Sequence, residues 1–345
     1  MLFRSPPQLA LLVDGILAGS IIVGAPGDDA ILEHTPQSVP YSLVGKPRVL
    51  LLGDAGTANI RLAGDRGAVS VTLVQGDRNI VGALDGRTLG GRAPALPLFA
   101  ALVHDDPRRF LRRTSPGYDI VQIAAAEGLP AGTAGLRALH EDYLLTVEAV
   151  REMLELLSED GILAVTRGIQ SPPRDNIKMF ALFAGALRST GVADPGHHLL
   201  QARNYIAAVT VAAKRPLGPG AIAAFRKECE KLSMDPEYYP GMETPTGPSV
   251  NRTPGPAGKA YSYYHHAARE IAAGREREFF DSYMYDLRPP TDDRPYFHDF
   301  FRLASLRDIA AAAGPGWFRH LEMGYAVLAA AAVLAAAAGA ALTAL

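Results

Sequence analysis

The sequence predicts an α/β domain: a doubly wound, mostly parallel sheet of seven strands, closed on its C-terminal side by an antiparallel hairpin. Three observations predict it. Short apolar runs alternate with helical patterns from Val49 to Lys214, which is the signature of βαβ units with helices on both faces. A glycine turn, "GDAGT" at Gly53–Thr57, follows the first run. Two strand-like runs near the end of the region are separated only by Arg203 and Asn204. That gap is too short for a crossover helix, so the pair must be antiparallel.

The elements follow in order. Residues 1–47 carry turn signals and short apolar runs, "LALLVDGILAGSIIVGA", that suit a small β-hairpin cap. Residues 48–240 form the main domain. Its strands are expected at "VLLLG" (49–53), "VSVTLVQ" (69–75), "LFAALVH" (98–104), "YDIVQIA" (118–124), "GILAVTR" (161–167), "HHLLQA" (197–202) and "YIAAVTVAAK" (205–214). The best helix is "EDYLLTVEAVREMLELLSEDG", where Tyr143, Val147, Val150, Leu154 and Leu157 recur at helical spacing and Gly161 reads as a stop. Residues 216–240 read as helical, 241–260 as a linker, and 261–322 as a helical, aromatic-rich extension.

Residues 323–345, "MGYAVLAAAAVLAAAAGAALTAL", are 23 positions without a charge. At about 1.5 Å per residue such a helix crosses a hydrocarbon core of roughly 30 Å, so a transmembrane helix is expected there. Arg302, Arg307 and Arg319 precede it and favour a cytoplasmic domain on an inner membrane by the positive-inside tendency. The start of the chain lacks an apolar stretch followed by a small-residue cleavage site, so no signal peptide is read.

Composition excludes some classes. Across 345 residues the formal charge is -2, which gives no global argument for nucleic acid. The single cysteine, Cys229, excludes an intramolecular disulfide framework and a cysteine-built zinc site. The adjacent pairs His197-His198 and His265-His266 do not suggest a metal, since neighbours in a strand face opposite ways.

Three stations in strand order point to a nucleoside. In the first, Gly53 and Gly56 permit backbone approach, with Asp54 and Ala55 between them. At the second, where an acid usually meets ribose hydroxyls, the tip holds Gln75, with Asp77 two residues on. At the third, Asp105 and Asp106 stand where an adenine amino group would be met. Asp106-Pro107 is equally a good helix cap and first-position pair.

These residues resemble a known family. "PYSLVGKPRVLLLGDAGTANIRLA", "VTLVQGDRNIVGAL", "LHEDYLLTVEAVREMLELLSEDGILAVTR" and "SYMYDLRPPTDDRPYFHDFFRL" are similar to the spermidine-synthase-like, class I methyltransferase-fold domains of multi-spanning bacterial membrane proteins. The resemblance implies a seven-stranded fold that binds S-adenosylmethionine, its decarboxylated form or a related nucleoside. It also implies methyl or aminopropyl transfer to a small acceptor, an amine or polyamine. The sequence departs from the active aminopropyltransferases at telling places. Their glycine loop is fuller, their second-strand acid falls on Gln75, and their two catalytic aspartates fall on Ala124 and Glu127.

Transfer from a sulfonium needs aligned in-line attack and a way to dispose of an amine proton. Glu127 is the remaining candidate base and acceptor anchor, carried by a small-residue segment, 125–138, that suits a lid. His140 and Tyr143, with Glu141 and Asp142 between them, would open the long helix and line the same cleft. The expected function is therefore a membrane-anchored transferase. The alternative is a catalytically degraded nucleoside- or polyamine-binding domain that regulates or scaffolds its membrane portion. An NAD-dependent oxidoreductase is disfavoured by the closing hairpin and the missing ribose acid. Homo-oligomerisation is left open. "TDDRPYFHDFF" (291–301) either docks the C-terminal region on the core or lines the acceptor entrance.

Overall fold

The computed structural model describes residues 6–13, 15–24, 30–87, 96–123, 138–245, 262–307, 311 and 323–343. Its N-terminal cap is the antiparallel pair β1 (Gln8–Val13) and β2 (Ile16–Ile22). The main sheet has eight strands: β3 (Arg48–Leu52), β4 (Ser70–Gln75), β5 (Ala100–His104), β6 (Tyr118–Ile123), β7 (Leu157–Gly168), β8 (Leu199–Arg203), β9 (Ala207–Ala213) and β10 (Asp235–Tyr238). Their order is β10-β8-β9-β7-β6-β3-β4-β5. β3 to β7 are mutually parallel, and β9 lies antiparallel between β7 and β8. This is the methyltransferase-like α/β arrangement the sequence predicted.

The central strands are apolar on both faces because both faces are covered. Leu50, Leu52, Val121, Ile123, Leu163 and Val165 join one core cluster, with the helices α4 (Val147–Leu156), α5 (Asp175–Ser189), α7 (Tyr263–Ala272) and α8 (Glu276–Ser282). Val49, Leu51, Ile120, Ile162 and Ala164 join the other, with α1 (Ala58–Asp65), α2 (Arg78–Leu84), α6 (Pro219–Lys231) and the cap. From β3 the chain moves outward to β4 and β5, then returns to β6 on the other side. The carboxyl ends of β3 and β6 therefore flank a topological switch point, where ligands of such sheets bind.

Several expectations need correction. The long helix starts at Val147, so His140 to Tyr143 do not open it. Thr146 has extended dihedrals and caps the helix through Oγ1, which accepts the Ala149 N–H at 3.2 Å. Gly161 does not stop the helix but lies inside β7, where a Cβ would meet the Tyr118 carbonyl oxygen at 2.9 Å. The stretch 216–240 is a helix followed by an eighth strand. β10 escaped the apolar pattern because it is an edge strand with Asp235, Pro236 and Glu237, residues that protect edges. Glu237 is fully buried, bonded by Arg203 Nε at 2.7 Å and Ser262 Oγ at 2.5 Å. In the C-terminal extension, helix ends at Ser282, and the chain from Tyr283 to Arg302 is a strap without helix.

The terminal apolar run forms a helix over Met323–Thr343. Its described side chains are those of Val327, Leu328 and 330–340, and all are exposed. Among the described residues no helix is long and apolar enough to cross a membrane.

Candidate functional site

The glycine turn sits at the carboxyl end of β3, as its place in the sequence requires. Gly53 takes a positive φ of 70° and donates its N–H to the Val74 carbonyl at 2.9 Å. Asp54 does not face the crevice. Its carboxylate turns back into the loop, accepting the Gly56 N–H at 3.0 Å, the Asn59 side-chain amide at 2.6 Å, and the Ala55 N–H. Burial pushes the Asp54 carboxyl above the usual range, against the lowering effect of those bonds from Asn59, Gly56 and Ala55.

The cap lies directly on this turn. Thr57 donates its N–H to the Ser20 carbonyl at 3.0 Å, and its hydroxyl accepts the Ile22 N–H at 2.9 Å. The backbones are so close that a Cβ on Gly56 would meet the Ser20 oxygen at 2.6 Å, and one on Gly19 would meet the Ala55 carbonyl at 2.7 Å. Gly56 is thus required by the hairpin, whatever else it does. The N–H groups of Gly53, Ala55, Gly56 and Thr57 all end on the chain's own oxygens.

Gln75 extends the same knot. Buried at the tip of β4, it donates from Nε2 to the Asp54 carbonyl at 3.0 Å and accepts the Asp77 N–H through Oε1 at 2.9 Å. Asp77 caps α2, accepting the Asn79 and Ile80 N–H groups. The third station lies alongside. Asp106 caps α3 (Pro107–Leu111) by accepting the Arg109 N–H at 2.8 Å, and Asp105 accepts the Asp106 N–H and pairs with Arg109. The Arg109 hydrogen bond, ahead of the opposing effect of burial, holds the Asp105 carboxyl below the usual range. The three stations are therefore brought to one edge of the sheet, and each described polar side chain among them has a structural partner.

The acceptor side is only partly described. Glu127 and Ala124 lie outside the described residues. His140 is exposed, and Tyr143 is exposed with its hydroxyl on Glu141 at 3.2 Å. That bond, with a smaller contribution from burial, raises the Tyr143 phenol. Tyr118-Asp119 falls at the opposite end of the sheet, where Asp119 accepts the Arg48 N–H at 2.8 Å and the Ser158 hydroxyl at 2.6 Å.

Sequence reasoning missed the clasp that holds the strap against this edge. Arg108, at the start of α3, reaches Asp292 at 2.8 Å and Glu152 at 3.1 Å. Thr146 donates to the second oxygen of Asp292 at 2.6 Å, and the Asp292 N–H goes to Glu148 at 2.9 Å. The backbone follows, with Asp142 N–H on the Pro295 carbonyl at 2.7 Å and Val147 N–H on that of Pro290 at 3.0 Å. The signal available was the run "RRFLRR", of which Arg108 turns inward while Arg109 and Arg112 stay exposed. Of the two expectations for "TDDRPYFHDFF", docking on the core is the role these bonds describe.

No protein-family model and no curated relative matches the chain. Among solved structures, it is similar to a spermidine synthase in complex with the transition-state analogue AdoDATO, at 18% identity over 66% of this chain and 71% of that one, TM-score 0.39. It is also similar to the Thermotoga maritima spermidine synthase, at 19% identity over 66% and 71%, TM-score 0.38. A third is a probable spermidine synthase from Corynebacterium glutamicum ATCC 13032, at 14% identity over 72% and 92%, TM-score 0.45. The class itself, a methyltransferase-like α/β domain, is defined by the strand order of this chain.

Proposed function

We propose that this is a spermidine-synthase-like domain of a membrane-linked protein in which the nucleoside turn serves structure, so that the domain scaffolds or regulates its membrane portion without turning over S-adenosylmethionine. One observation carries the reading. The Ser20 carbonyl occupies the turn, and the Gly53, Ala55, Gly56 and Thr57 N–H groups are committed within the chain. A ligand gains from such a turn only through N–H groups that still need a partner. Membrane linkage, with an inner-membrane site and a cytoplasmic domain, is the part of the proposal that rests on the charge-free run 323–345 of the sequence alone, since no described helix is long and apolar enough to cross a membrane.

The transferase reading is kept because the switch point of the sheet is intact and Glu127 belongs to the segment that follows β6. In that reading Gly53, Asp54, Ala55, Gly56, Gln75, Asp77, Asp105 and Asp106 line the nucleoside, and Glu127, His140 and Tyr143 meet an amine or polyamine. Calorimetry with S-adenosylmethionine and with its decarboxylated form separates the two. The scaffold reading expects no saturable heat with either and no transfer to putrescine-type amines. Transfer that disappears in Glu127→Gln would establish the enzyme and overturn it.

A further inference from the structure

We propose that the middle of the strap, residues 288–296, is a flap that opens and closes the carboxyl edge of the sheet beside β5 and β6, and that Asp292 is its latch. The flap is independent of whether the glycine turn binds a nucleoside, because none of its partners belongs to that turn.

The two ends of the flap are fixed in the core. Leu287 and Phe297 are fully buried on either side of it, with Tyr285 and Phe300 buried just beyond. The Asp286 N–H donates to the Phe300 carbonyl at 3.0 Å, which ties the ends together. A loop with close, anchored ends can move without dragging its neighbours. Between the anchors, no side chain joins either apolar cluster. Only Pro290 and Pro295 are buried there, while Arg288, Asp293 and Arg294 are exposed. Toward α5 the flap is backed by a cavity of about 240 Å³, walled by Arg288, Pro289, Pro290 and Thr291 of the flap and by Lys178. It rests against a hollow there.

What holds the flap down is polar and converges on one residue. The Asp292 carboxylate accepts from the Arg108 guanidinium at 2.8 Å and from the Thr146 hydroxyl at 2.6 Å, and its N–H donates to Glu148 at 2.9 Å. On either side, the Pro290 and Pro295 carbonyls accept the Val147 and Asp142 N–H groups at 3.0 and 2.7 Å. These partners follow β5 and β6 in the chain, so the latch closes next to Asp105 and Asp106. Its closure is incomplete. Arg108 Nε and Glu152 Oε2 are buried and have no partner among the described residues, and an unpaired buried polar atom costs free energy that opening returns. Segments held by hydrogen bonds with few apolar contacts open locally, well below the free energy of global unfolding. Opening hands the Arg108 guanidinium, the Thr146 hydroxyl and the Asp142 and Val147 N–H groups to solvent together.

Amide hydrogen exchange on the full chain tests the flap, with rates corrected for neighbouring side chains. In the wild type, the amides of Asp142, Val147 and Asp292 should exchange as one unit, at least tenfold faster than that of Asp286, which stays tied to Phe300. Asp292→Asn keeps the shape of the side chain and removes the charge that faces Arg108. It should speed the Asp142 and Val147 amides at least tenfold further and leave Asp286 unchanged. Asp293→Asn, at the exposed neighbour, should change none of them. Wild-type exchange of the three amides no faster than that of Asp286 overturns the flap, and this comparison stands even where Asp292→Asn fails to fold. A folded Asp292→Asn protein that leaves Asp142 and Val147 unchanged, or that speeds Asp286 equally, overturns the latch.

Discussion

Replacing Gly56 with alanine tests whether the turn is held by the hairpin or kept open for a ligand. The new methyl would sit 2.6 Å from the Ser20 oxygen, about 0.8 Å inside the 3.4 Å at which ordinary contact begins. The Cβ is fixed by the backbone and the Ser20 oxygen is backbone, so no side-chain rotamer can relieve the overlap; β2 must lift. Lifting stretches the Thr57 N–H to Ser20 bond of 3.0 Å and the Ile22 N–H to Thr57 bond of 2.9 Å. Two weakened buried bonds at about 0.5–1.5 kcal/mol each, with about 1–3 kcal/mol for overpacking, give an expected loss of about 2–6 kcal/mol. Urea unfolding of the full chain reads this as a lower midpoint at unchanged slope. Gly53→Ala is the control, because nothing lies within 4 Å of its Cβ and only its φ of 70° opposes the change; about 1–2 kcal/mol is expected there. Gly19→Ala should resemble Gly56→Ala, and the double variant should fall short of the sum because both act on one contact. A Gly56→Ala protein as stable as wild type that has lost nucleoside binding would refute the reasoning.

Other outcomes follow from the same geometry. Asp54 has its carboxyl raised by burial, so the folded state holds that proton more tightly than the unfolded chain does. Its contribution to stability is therefore greatest in acid and declines as pH rises from about 4 through the raised value. Asp54→Asn should flatten that decline in unfolding measured between pH 4 and 7, and an unchanged slope would show the acid to be ionised at little cost. Arg108→Ala removes the buried one of the two cations that Asp292 and Glu152 share and leaves them the exposed Arg112. Breaking a buried pair costs about 3–5 kcal/mol, and since these acids are 32% and 17% exposed, about 2–3 kcal/mol is expected after solvent screening. Faster proteolysis within Tyr283–Arg302 should accompany it, and an unaltered cleavage rate would mean that the strap is held elsewhere. Cys229 is 1% exposed, and burial, ahead of the nearby Glu228 and Asp235, pushes its thiol up. It should resist thiol reagents in buffer and react fully in urea; rapid labelling of the native chain would contradict this burial.

The parts of this fold governed by local pattern were legible in the sequence. Continuous apolar runs mark the buried parallel strands, and the short gap expected at Arg203-Asn204 points to the antiparallel closure, although Arg203 itself ends β8 and the connection runs over residues 204–206. Asp106-Pro107 was read as a cap as well as a station, and it caps α3. What escaped depends on contacts distant in the chain. The start of α4 was misplaced because Asp292, 146 positions beyond Thr146, engages that residue's hydroxyl. β10 is hidden from the pattern because the cation that pairs with its Glu237, Arg203, stands on the neighbouring strand β8. The glycines of "GDAGT" were read for what they permit, but their immediate neighbour, the β2 backbone, comes from more than thirty positions upstream.

The meeting of Gly19, Ser20 and Gly56 also limits how this protein can change. The hairpin carbonyl occupies the turn as a tethered ligand would, so any free metabolite competes with an intramolecular partner. A larger residue at either glycine strains both segments, so the turn cannot be redesigned one position at a time. Anyone wishing to install nucleoside binding in this scaffold should begin by shortening or displacing β1–β2, and only then enrich the turn in glycine.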